Sequence, residues 1–273
     1  MNRRVTVVGV PAWVDASRLL GEGFRAEGNA FVADLADTAA ADVAARLRGV
    51  GLGGQLLDVE VFPPLPRALT RAARTDDARR RRDTTPGFDR PGTQLDDEGR
   101  WSLTPAALAL TLGRGAAGRA VIDVGCGCGG DTVGFARGGA TVIAIERDAT
   151  RLAMARHNAG VYGVSGRIRF VAGDGPARLA TLPGDLVFVD PPWGRDASKE
   201  RTGLDDLPLL AAVLADPREV WAKVPASFDP TTVAGATATA VFGLAEGDRR
   251  RVKFTIVKRP ARRPDGLPTG HDP

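Results

Sequence analysis

The chain has 273 residues and a formal net charge of +4 at pH 7, a length that accommodates one large domain and a smaller one. It contains no run of 18 apolar residues, so the sequence predicts no transmembrane helix. The basic residues are 33 arginines and four lysines, a bias that either serves phosphate binding or reflects a GC-rich genome.

Residues 1–66 are predicted to form a small α/β unit. The apolar run after Arg4 ends at Pro11 and is too short for a signal peptide, so we expect a strand there. The predicted elements of the unit are strands at Arg4–Val10, Ala30–Leu35 and Gln55–Phe62 and a helix at Thr38–Gly49. No motif in this unit carries chemistry, and it is either a substrate-recruiting module or a packing partner.

Residues 67–90 are predicted to form an arginine-rich linker helix. Seven arginines fall within the sixteen residues 67–82, with Asp76 and Asp77 as the only acids. Arg67, Arg71 and Arg74 share one face of a helix. The segment either follows the phosphate backbone of RNA or is a solvated helix between domains.

Residues 91–119 lead into the large domain. An alanine- and leucine-rich helix is predicted at Ala106–Leu112, with Thr104 as its N-cap and Pro105 at its first position. Trp101 is a large aromatic residue shortly before this cap. It either packs beneath a lid or lines a cofactor pocket.

Residues 120–130 read Ala-Val-Ile-Asp-Val-Gly-Cys-Gly-Cys-Gly-Gly and predict a buried strand, a glycine-rich turn and a helix that starts near Asp131. Gly125, Gly127 and Gly129 carry no Cβ, so positive φ angles cost little and the backbone can approach a ligand closely. The following helix adds free N–H groups and partial positive charge. This pattern indicates a nucleotide-cofactor site in a doubly wound α/β domain.

The glycine turn is compatible with two cofactors. Gly125, Gly127 and Gly130 satisfy the dinucleotide fingerprint, and Glu146 ends the next apolar run, where an acid can hold ribose hydroxyls. Both NAD and S-adenosylmethionine (SAM) enzymes use such an acid. Asp123 favours SAM, because a carboxylate in the strand can receive the ammonium group of the methionine moiety and NAD has no such group.

Strands and helices alternate beyond the turn, which predicts a mostly parallel sheet ending in an antiparallel hairpin. The large domain is assigned to residues 91–258, and residues 259–273 are predicted to be a disordered tail. The further elements are strands at Val142–Ile145, Ile168–Val171, Leu186–Val189 and Val220–Val224, helices at Asp148–Tyr162 and Asp205–Leu214, and the hairpin Thr237–Leu244 with Val252–Val257.

Cys126 and Cys128 are the only cysteines and lie one residue apart in the glycine turn. This spacing suits neither a structural disulfide nor, with only His157 and His271 in the chain, a zinc site. We therefore expect no metal and a reducing, cytoplasmic setting. The sequence gives no indication of the oligomeric state.

Asp190-Pro191-Pro192-Trp193 follows the predicted strand Leu186–Val189, at the sheet edge where ligands of open α/β sheets bind. The prolines donate no N–H, so their carbonyls and the Asp190 carboxylate offer only acceptors. An exocyclic ring amine presents two N–H donors to them. Asp190 can also take the proton that a methylated amine releases, and Trp193 offers a face for a flat base. The motif predicts methylation of a planar nitrogen, with Asp190, Pro191 and Trp193 as catalytic residues.

Asp174 ends the third strand of the predicted domain. It either holds the adenine amino group of the cofactor or is a turn residue at the end of a strand.

Residues 88–257 resemble the trimethylguanosine synthase family, class I SAM-dependent methyltransferases that act on guanine N2 of an RNA cap. The matching stretches are Leu-Asp-Asp-Glu-Gly-Arg-Trp-Ser-Leu-Thr-Pro (95–105), Asp-Val-Gly-Cys-Gly-Cys-Gly-Gly-Asp-Thr (123–132), Val-Ile-Ala-Ile-Glu-Arg-Asp (142–148), Ala-Arg-His-Asn-Ala-Gly-Val-Tyr-Gly-Val (155–164), Gly-Asp (173–174) and Pro-Pro-Trp-Gly (191–194).

The resemblance implies a seven-stranded Rossmann-like domain that binds SAM through Asp123, Glu146 and Asp174, with Ser102 and Thr104 near the cofactor. It also implies that Trp193 stacks on guanine and that Pro191 accepts from its amine. The family usually has serine before Pro-Pro-Trp, where this chain has Asp190. Arg195 and Lys199 are the candidates for gripping a cap triphosphate.

These observations predict a SAM-dependent N-methyltransferase acting on the exocyclic amine of a planar base, most specifically guanine N2 in RNA. Adenine N6 stays open as the target atom. The alternatives are a small-molecule or nucleoside N-methyltransferase of a biosynthetic pathway, and a non-catalytic protein that binds SAM and RNA.

Overall fold

The computed structural model describes residues 2–82, 85–193 and 201–262. Its strands are β1 (Asn2–Val8), β2 (Arg25–Glu27), β3 (Ala30–Ala36), β4 (Gly51–Leu52), β5 (Gln55–Leu56), β6 (Asp58–Phe62), β7 (Ala120–Val124), β8 (Thr141–Glu146), β9 (Ile168–Ala172), β10 (Leu186–Val189), β11 (Glu219–Val224), β12 (Thr237–Phe242) and β13 (Val252–Arg259). Its α-helices are α1 (Ala16–Leu20), α2 (Asp37–Leu47), α3 (Arg67–Arg80), α4 (Gly99–Ser102), α5 (Ala106–Gly115), α6 (Gly130–Arg137), α7 (Ala149–Val161), α8 (Gly175–Leu179) and α9 (Pro208–Val213).

The larger sheet has seven strands in the order β12-β13-β11-β10-β7-β8-β9. The strands from β11 to β9 pair in parallel, whereas β13 is antiparallel to both β11 and β12. This is the predicted mostly parallel sheet with a terminal antiparallel hairpin, and the class I methyltransferase fold is confirmed. The chain order reverses between β7 and β10, so the ligand crevice lies at the carboxyl ends of these two strands.

The central strands are apolar because helices cover both faces of the sheet. All four residues of β10 are fully buried, and Phe188 meets Phe135 of α6 edge to face with ring centroids 4.8 Å apart. On the other face, Leu210 and Val213 of α9 pack on the sheet. The two cores hold β7 and β10 rigidly, and both strands end at the crevice.

The N-terminal unit has a four-stranded antiparallel sheet in the order β2-β3-β1-β6. The chain order β1-α1-β2-β3-α2-β6 makes it a ferredoxin-like split βαβ unit. Sequence analysis missed β2, because its three residues Arg-Ala-Glu are all exposed and show no apolar pattern. The predicted single strand Gln55–Phe62 was wrong: Leu57 interrupts it, and β5 pairs with β4 instead.

This unit packs directly on the larger domain. Phe242 of β12 is buried in the same core as Leu19, Leu20 and Leu47. The Gly53 and Gly54 N–H groups donate to the carbonyls of Ala226 and Ser227, at 2.8 and 3.1 Å. The loop that follows β11 lies at the carboxyl edge of the parallel strands, so the N-terminal unit borders the crevice. The division at residue 66 stays a prediction.

Three further predictions of element ends were wrong. The N-cap position of α5 is Pro105, not Thr104, and Thr104 instead bonds to a side chain of the crevice. The helix Asp205–Leu214 is a 3-10 turn followed by the shorter α9, which begins at Pro208 because proline starts helices well. Arg259, assigned to the tail, is the buried last residue of β13; residues 263–273 of that tail lie outside the described residues.

Candidate active site

The glycine loop between β7 and α6 adopts the left-handed backbone geometry that its sequence predicts. Gly125, Gly127 and Gly129 have φ angles of 76°, 54° and 87°, a region that side chains with a Cβ rarely adopt. A Cβ on Gly127 would meet nothing within 4 Å, so its backbone faces open space. A Cβ on Gly129 would lie 3.0 Å from the Cβ of Ala155. Gly129 is therefore required for packing on α7 as well as for the turn.

Glu146, the last residue of β8, holds this loop by hydrogen bonds. Its Oε2 accepts from the Gly127 N–H and its Oε1 from the Asp148 N–H, both at 2.9 Å, and the side chain is buried. Each carboxylate oxygen has a second lone pair. Glu146 therefore keeps acceptor capacity for the hydroxyl groups of a ribose. Its predicted role in binding the ribose stays a prediction.

Asn158 of α7 is a second support that sequence analysis named only as part of a run. Its fully buried amide accepts from the Gln94 N–H at 2.7 Å and donates to the carbonyls of Gln94 and Cys128, at 2.8 and 2.9 Å. The segment before α4 is thereby tied to the glycine loop. Both cysteines of the loop are buried free thiols.

Asp123 lies inside β7 and is 2% exposed. Its Oδ2 accepts from the Thr132 hydroxyl of α6. Burial, together with the nearby charge of Asp131, raises the pKa of Asp123 to about 8. A cationic ligand group beside this carboxyl would restore its ionised form, as the predicted contact with a methionine ammonium requires.

Asp131 is a site residue that sequence analysis did not assign. The Thr104 hydroxyl donates to its Oδ2 at 2.9 Å, which places Thr104 at the crevice although it caps no helix. The other oxygen, Oδ1, is buried and has no donor within residues 2–82, 85–193 and 201–262. Burial raises the pKa of this carboxyl too. A ligand that brings a donor or a cationic group to this position would satisfy the buried oxygen.

Asp190 follows β10 directly and meets a second residue that sequence analysis missed. Its Oδ2 accepts from Lys223 Nζ of β11 at 2.5 Å, and Lys223 is 3% exposed. Burial raises the pKa of Asp190 to about 7, although Lys223 opposes this rise. The sequence did contain a signal for this pair, because Lys223 is a charged residue inside the apolar run Val220–Val224. Buried lysines are nearly always paired with an acid.

Pro191 is buried and Trp193 is half-buried beside Asp190. Lys223 Nζ lies 5.0 Å from the centroid of the Trp193 ring, within cation–π range. Residues 194–200, which include Arg195 and Lys199, lie outside the described residues. The motif thus combines a carboxylate and an indole at the edge of the crevice.

Asp174 and Trp101 stay predictions as cofactor residues. Asp174 is exposed at the end of β9, and its side chain caps α8 by accepting from the Ala177 N–H at 3.2 Å. The cap accounts for an aspartate here without a ligand. Trp101 lies in α4, and the carbonyl of its neighbour Ser102 accepts from Lys223 Nζ at 3.2 Å.

The charges of the crevice decide between the two predicted cofactors. Asp131, Asp190 and Glu146 lie close enough to Asp123 to raise its pKa, and Lys223 bonds to Asp190. A pyrophosphate would bring further negative charge into this cluster. A ligand with a sulfonium and an ammonium group would compensate the carboxylates, and the residues therefore fit SAM and not NAD.

The predicted arginine helix forms as α3, and the arginines of residues 67–82 fall into two sets by whether they pair with an acid of the described residues. Arg67, Arg71, Arg74 and Arg82 are exposed and have no acidic partner within the part of the chain that the structure describes. The remaining arginines pair with acids: Arg79 with Asp76, Arg80 with Asp42, and Arg81 with Asp77. Viewed down the helix axis at 100° per residue, an arc of about 60° contains Arg67, Arg71 and Arg74.

Asp77 anchors α3 to the crevice edge. It is buried and pairs with Arg251, directly before β13. Thr255 of β13 lies opposite Val224, the last residue of β11, so this end of β13 is at the carboxyl edge of the parallel strands. The unpaired arginines therefore belong to a helix that borders the candidate site.

Comparison with known proteins gives matches in the large domain. Residues 118–207 match a family described as RNA cap guanine-N2 methyltransferase. The chain is 33% identical over 159 residues to trimethylguanosine synthase of Schizosaccharomyces pombe, covering 54% of this chain and 64% of that protein. It is 36% identical over 130 residues to an uncharacterized RNA methyltransferase of Gloeobacter violaceus, covering 46% of this chain and 26% of that protein.

This chain therefore spans less than two thirds of the length of either relative. A crystal structure of an RNA methyltransferase from Salinibacter ruber in complex with S-adenosyl-L-homocysteine aligns at 19% identity and a TM-score of 0.40, covering 62% of this chain and 99% of that chain. The fold assignment rests on the strand order, not on this alignment. No described helix is long and apolar enough to cross a membrane.

Proposed function

We propose that the chain, whose residues 118–207 match a family described as RNA cap guanine-N2 methyltransferase, methylates the exocyclic amine of guanine, N2, in RNA. The observation that carries the proposal is the Asp190 carboxylate, which directly follows β10 next to the glycine loop and is paired with a buried lysine. It presents an acceptor for amine protons at the topological switch point, where the cofactor binds.

SAM is the cofactor of this domain, and when bound it supplies a methyl group on a positively charged sulfur, which keeps the bonding electron pair as the new nitrogen–carbon bond forms. Asp123, Asp131 and Glu146 are the residues that would hold its cationic and ribose groups. The backbone of the glycine loop is open to a ligand at Gly127, because this residue has no Cβ to cover it. The carboxylates exclude competing anions from the same space.

Asp190 and Pro191 would bind the substrate amine through acceptors alone, which directs the nitrogen lone pair away from them and toward the cofactor. Asp190 would then take the proton that the methylated nitrogen releases. Trp193 would hold the base by stacking, which is worth roughly 1–3 kcal/mol per base. A target base within a helix would have to leave its stack to reach this site.

Guanine N2 is favoured over adenine N6 by the name of the matched family and by the relative in Schizosaccharomyces pombe. RNA is favoured as the substrate by the exposed, unpaired arginines of α3 beside the site. We place the reaction in the cytoplasm as part of the same proposal, since both cysteines are free thiols.

Transfer of labelled methyl from SAM to total cellular RNA and, in parallel, to a small-molecule extract tests the proposal. We expect label in RNA and, after digestion to nucleosides, in N2-methylguanosine. Label in N6-methyladenosine would identify adenine N6, and not guanine N2, as the target atom. Label confined to the small-molecule fraction would instead support a biosynthetic N-methyltransferase, and SAM and RNA binding without any transfer would support a non-catalytic protein.

The double variant Arg71→Gln/Arg74→Gln is expected to bind RNA more weakly and with a smaller dependence on salt. Each lost phosphate contact lowers the slope of log K against log salt by about 1, so we expect a change of about 2. Filter binding or fluorescence anisotropy over a salt series measures it.

The matched control is Arg114→Gln/Arg169→Gln, which removes the same charge from exposed arginines. Arg114 lies in the last turn of α5, which leads to the amino end of β7, and Arg169 is the second residue of β9. An equal loss in this control would mean that net charge alone, and no surface on α3, governs RNA binding.

A further inference from the structure

Lys223 is the one described cation at the centre of the acidic crevice, and nothing in the sequence motifs assigns it a role. Its side chain is 3% exposed, yet it carries a full charge into the interior. Its Nζ contacts Asp190 Oδ2 at 2.5 Å and the Ser102 carbonyl at 3.2 Å, and it lies near the rings of Trp193 and Phe254. A buried lysine with this many contacts has one fixed position.

These contacts join the two halves of the site. Ser102 belongs to the segment that lies over the glycine loop, where Leu103 contacts Gly130. Asp190 and Trp193 belong to the substrate side, after β10. Lys223 projects from β11, the strand beside β10, so its ammonium links the cofactor side to the residues that would meet the base.

The two carboxylate oxygens of Asp190 also differ in their hydrogen bonds. Oδ2 is taken by Lys223, whereas no donor reaches Oδ1 from any residue in 2–82, 85–193 or 201–262. The Asp190 side chain is 21% exposed, so a ligand can reach its remaining acceptor capacity. A free oxygen at a fixed angle is what an amine N–H needs as an acceptor.

Charge balance makes the lysine necessary. Asp131 of α6 lies near Asp190 and raises its pKa, and Asp190 in turn raises the pKa of Asp123 on the neighbouring strand β7. Burial and Asp131 raise the pKa of Asp190, and Lys223 is the neighbour that lowers it. Without the ammonium, Asp190 would hold a proton at neutral pH and would be unable to accept one.

We propose, on the basis of the function proposed above, that Lys223 is the positioning residue of the reaction: it keeps Asp190 as a carboxylate and aims its free oxygen at the substrate amine. The proton released by the methylated nitrogen goes to Asp190 and then to solvent.

The pH dependence of kcat tests this role with Lys223→Met, with Lys223→Gln as a second neutral variant and Lys223→Arg as the variant that keeps the charge. In the wild type, kcat should rise through pH about 7, where Asp190 ionises, to a plateau. In Lys223→Met this rise should move to higher pH, so that kcat at pH 7 falls about tenfold or more and the difference narrows toward pH 9. Lys223→Arg should restore the wild-type profile.

Binding of SAM, measured by calorimetry, should not weaken in Lys223→Met, because a positive charge has been removed from beside a cationic ligand. A loss of kcat that is equal at every pH, or a profile identical to the wild type, would overturn the proposal. Loss of SAM binding together with a lower unfolding temperature would mean that Lys223 is only structural, which would overturn it as well.

A readout without substrate separates this inference from the proposed function. Titration of aspartate side-chain carboxyls by carbon-13 NMR, with Asp190→Asn to assign the signal, should show a higher Asp190 pKa in Lys223→Met and an unchanged one in Lys223→Arg. If no RNA is methylated, the proposed function fails while this titration still decides the role of Lys223. An unchanged Asp190 pKa in the neutral variants would refute it.

Discussion

Asp190→Asn is expected to lower kcat for methyl transfer at least about a hundredfold while SAM still binds. The substitution keeps the size of the side chain but replaces one acceptor oxygen with an NH₂ donor, and it removes the carboxylate that takes the amine proton. Loss of a positioned general base costs about 10² to 10⁴ in rate. Single-turnover transfer to the identified RNA measures the effect.

The matched control is Asp185→Asn at the other end of the same strand. Asp185 precedes β10 and accepts from the Ala120 N–H at 2.9 Å, and asparagine can keep this bond through its carbonyl oxygen. We expect wild-type transfer from the control. Calorimetry with SAM shows whether the crevice of Asp190→Asn is intact, and a transfer rate within about threefold of the wild type would remove Asp190 from the chemistry.

Gly113→Ala should have the largest effect on stability. Helices α5 and α6 cross at backbone contact, and a Cβ on Gly113 would lie 2.1 Å from the Gly134 carbonyl oxygen and 2.8 Å from the Phe135 Cα. These are backbone atoms, so no side-chain rotation can relieve the clash. We expect the free energy of unfolding to fall by about 3 kcal/mol or more, the upper end for overpacking. Denaturant unfolding measures it.

Gly166→Ala is its control, because a Cβ there would meet nothing within 4 Å and its φ is not positive. This change should alter the free energy of unfolding by less than about 1 kcal/mol. Since α6 starts at Gly130, directly after the glycine loop, a separation of α5 and α6 would also move the loop, and SAM affinity should fall in Gly113→Ala alone. Equal unfolding curves for the two variants would contradict the close helix contact.

The glycine loop shows how far local sequence reached. Its three glycines alternate after an apolar run, and the structure has positive φ at each of them. The mostly parallel pairing of the large sheet was predicted from alternating strands and helices, since a parallel strand pair requires a crossover. The predicted element ends were wrong at Thr104 and at residues 204–208, because capping and 3-10 turns depend on bonds to distant groups.

The N-terminal unit marks the limit of local patterns. Its β2 has no buried residue, so nothing in Arg25–Glu27 distinguishes a strand from a loop until β3 pairs with it. The same holds for the arginines of α3. Their spacing predicted a charged face, but only the packed structure showed which of them pair with Asp42, Asp76 and Asp77 and which stay free.

By itself, the sequence determined the α/β class of the large domain, the cofactor loop and the position of Asp190-Pro191-Pro192-Trp193, because each is encoded in residues adjacent along the chain. Tertiary structure alone decided the bond from Lys223 to Asp190, the bond from Thr104 to Asp131 and the unpaired oxygen of Asp131. These residues are 33 and 27 positions apart. Their meeting depends on strand order and on burial, which change charge and pKa through space and leave no periodic trace in the sequence.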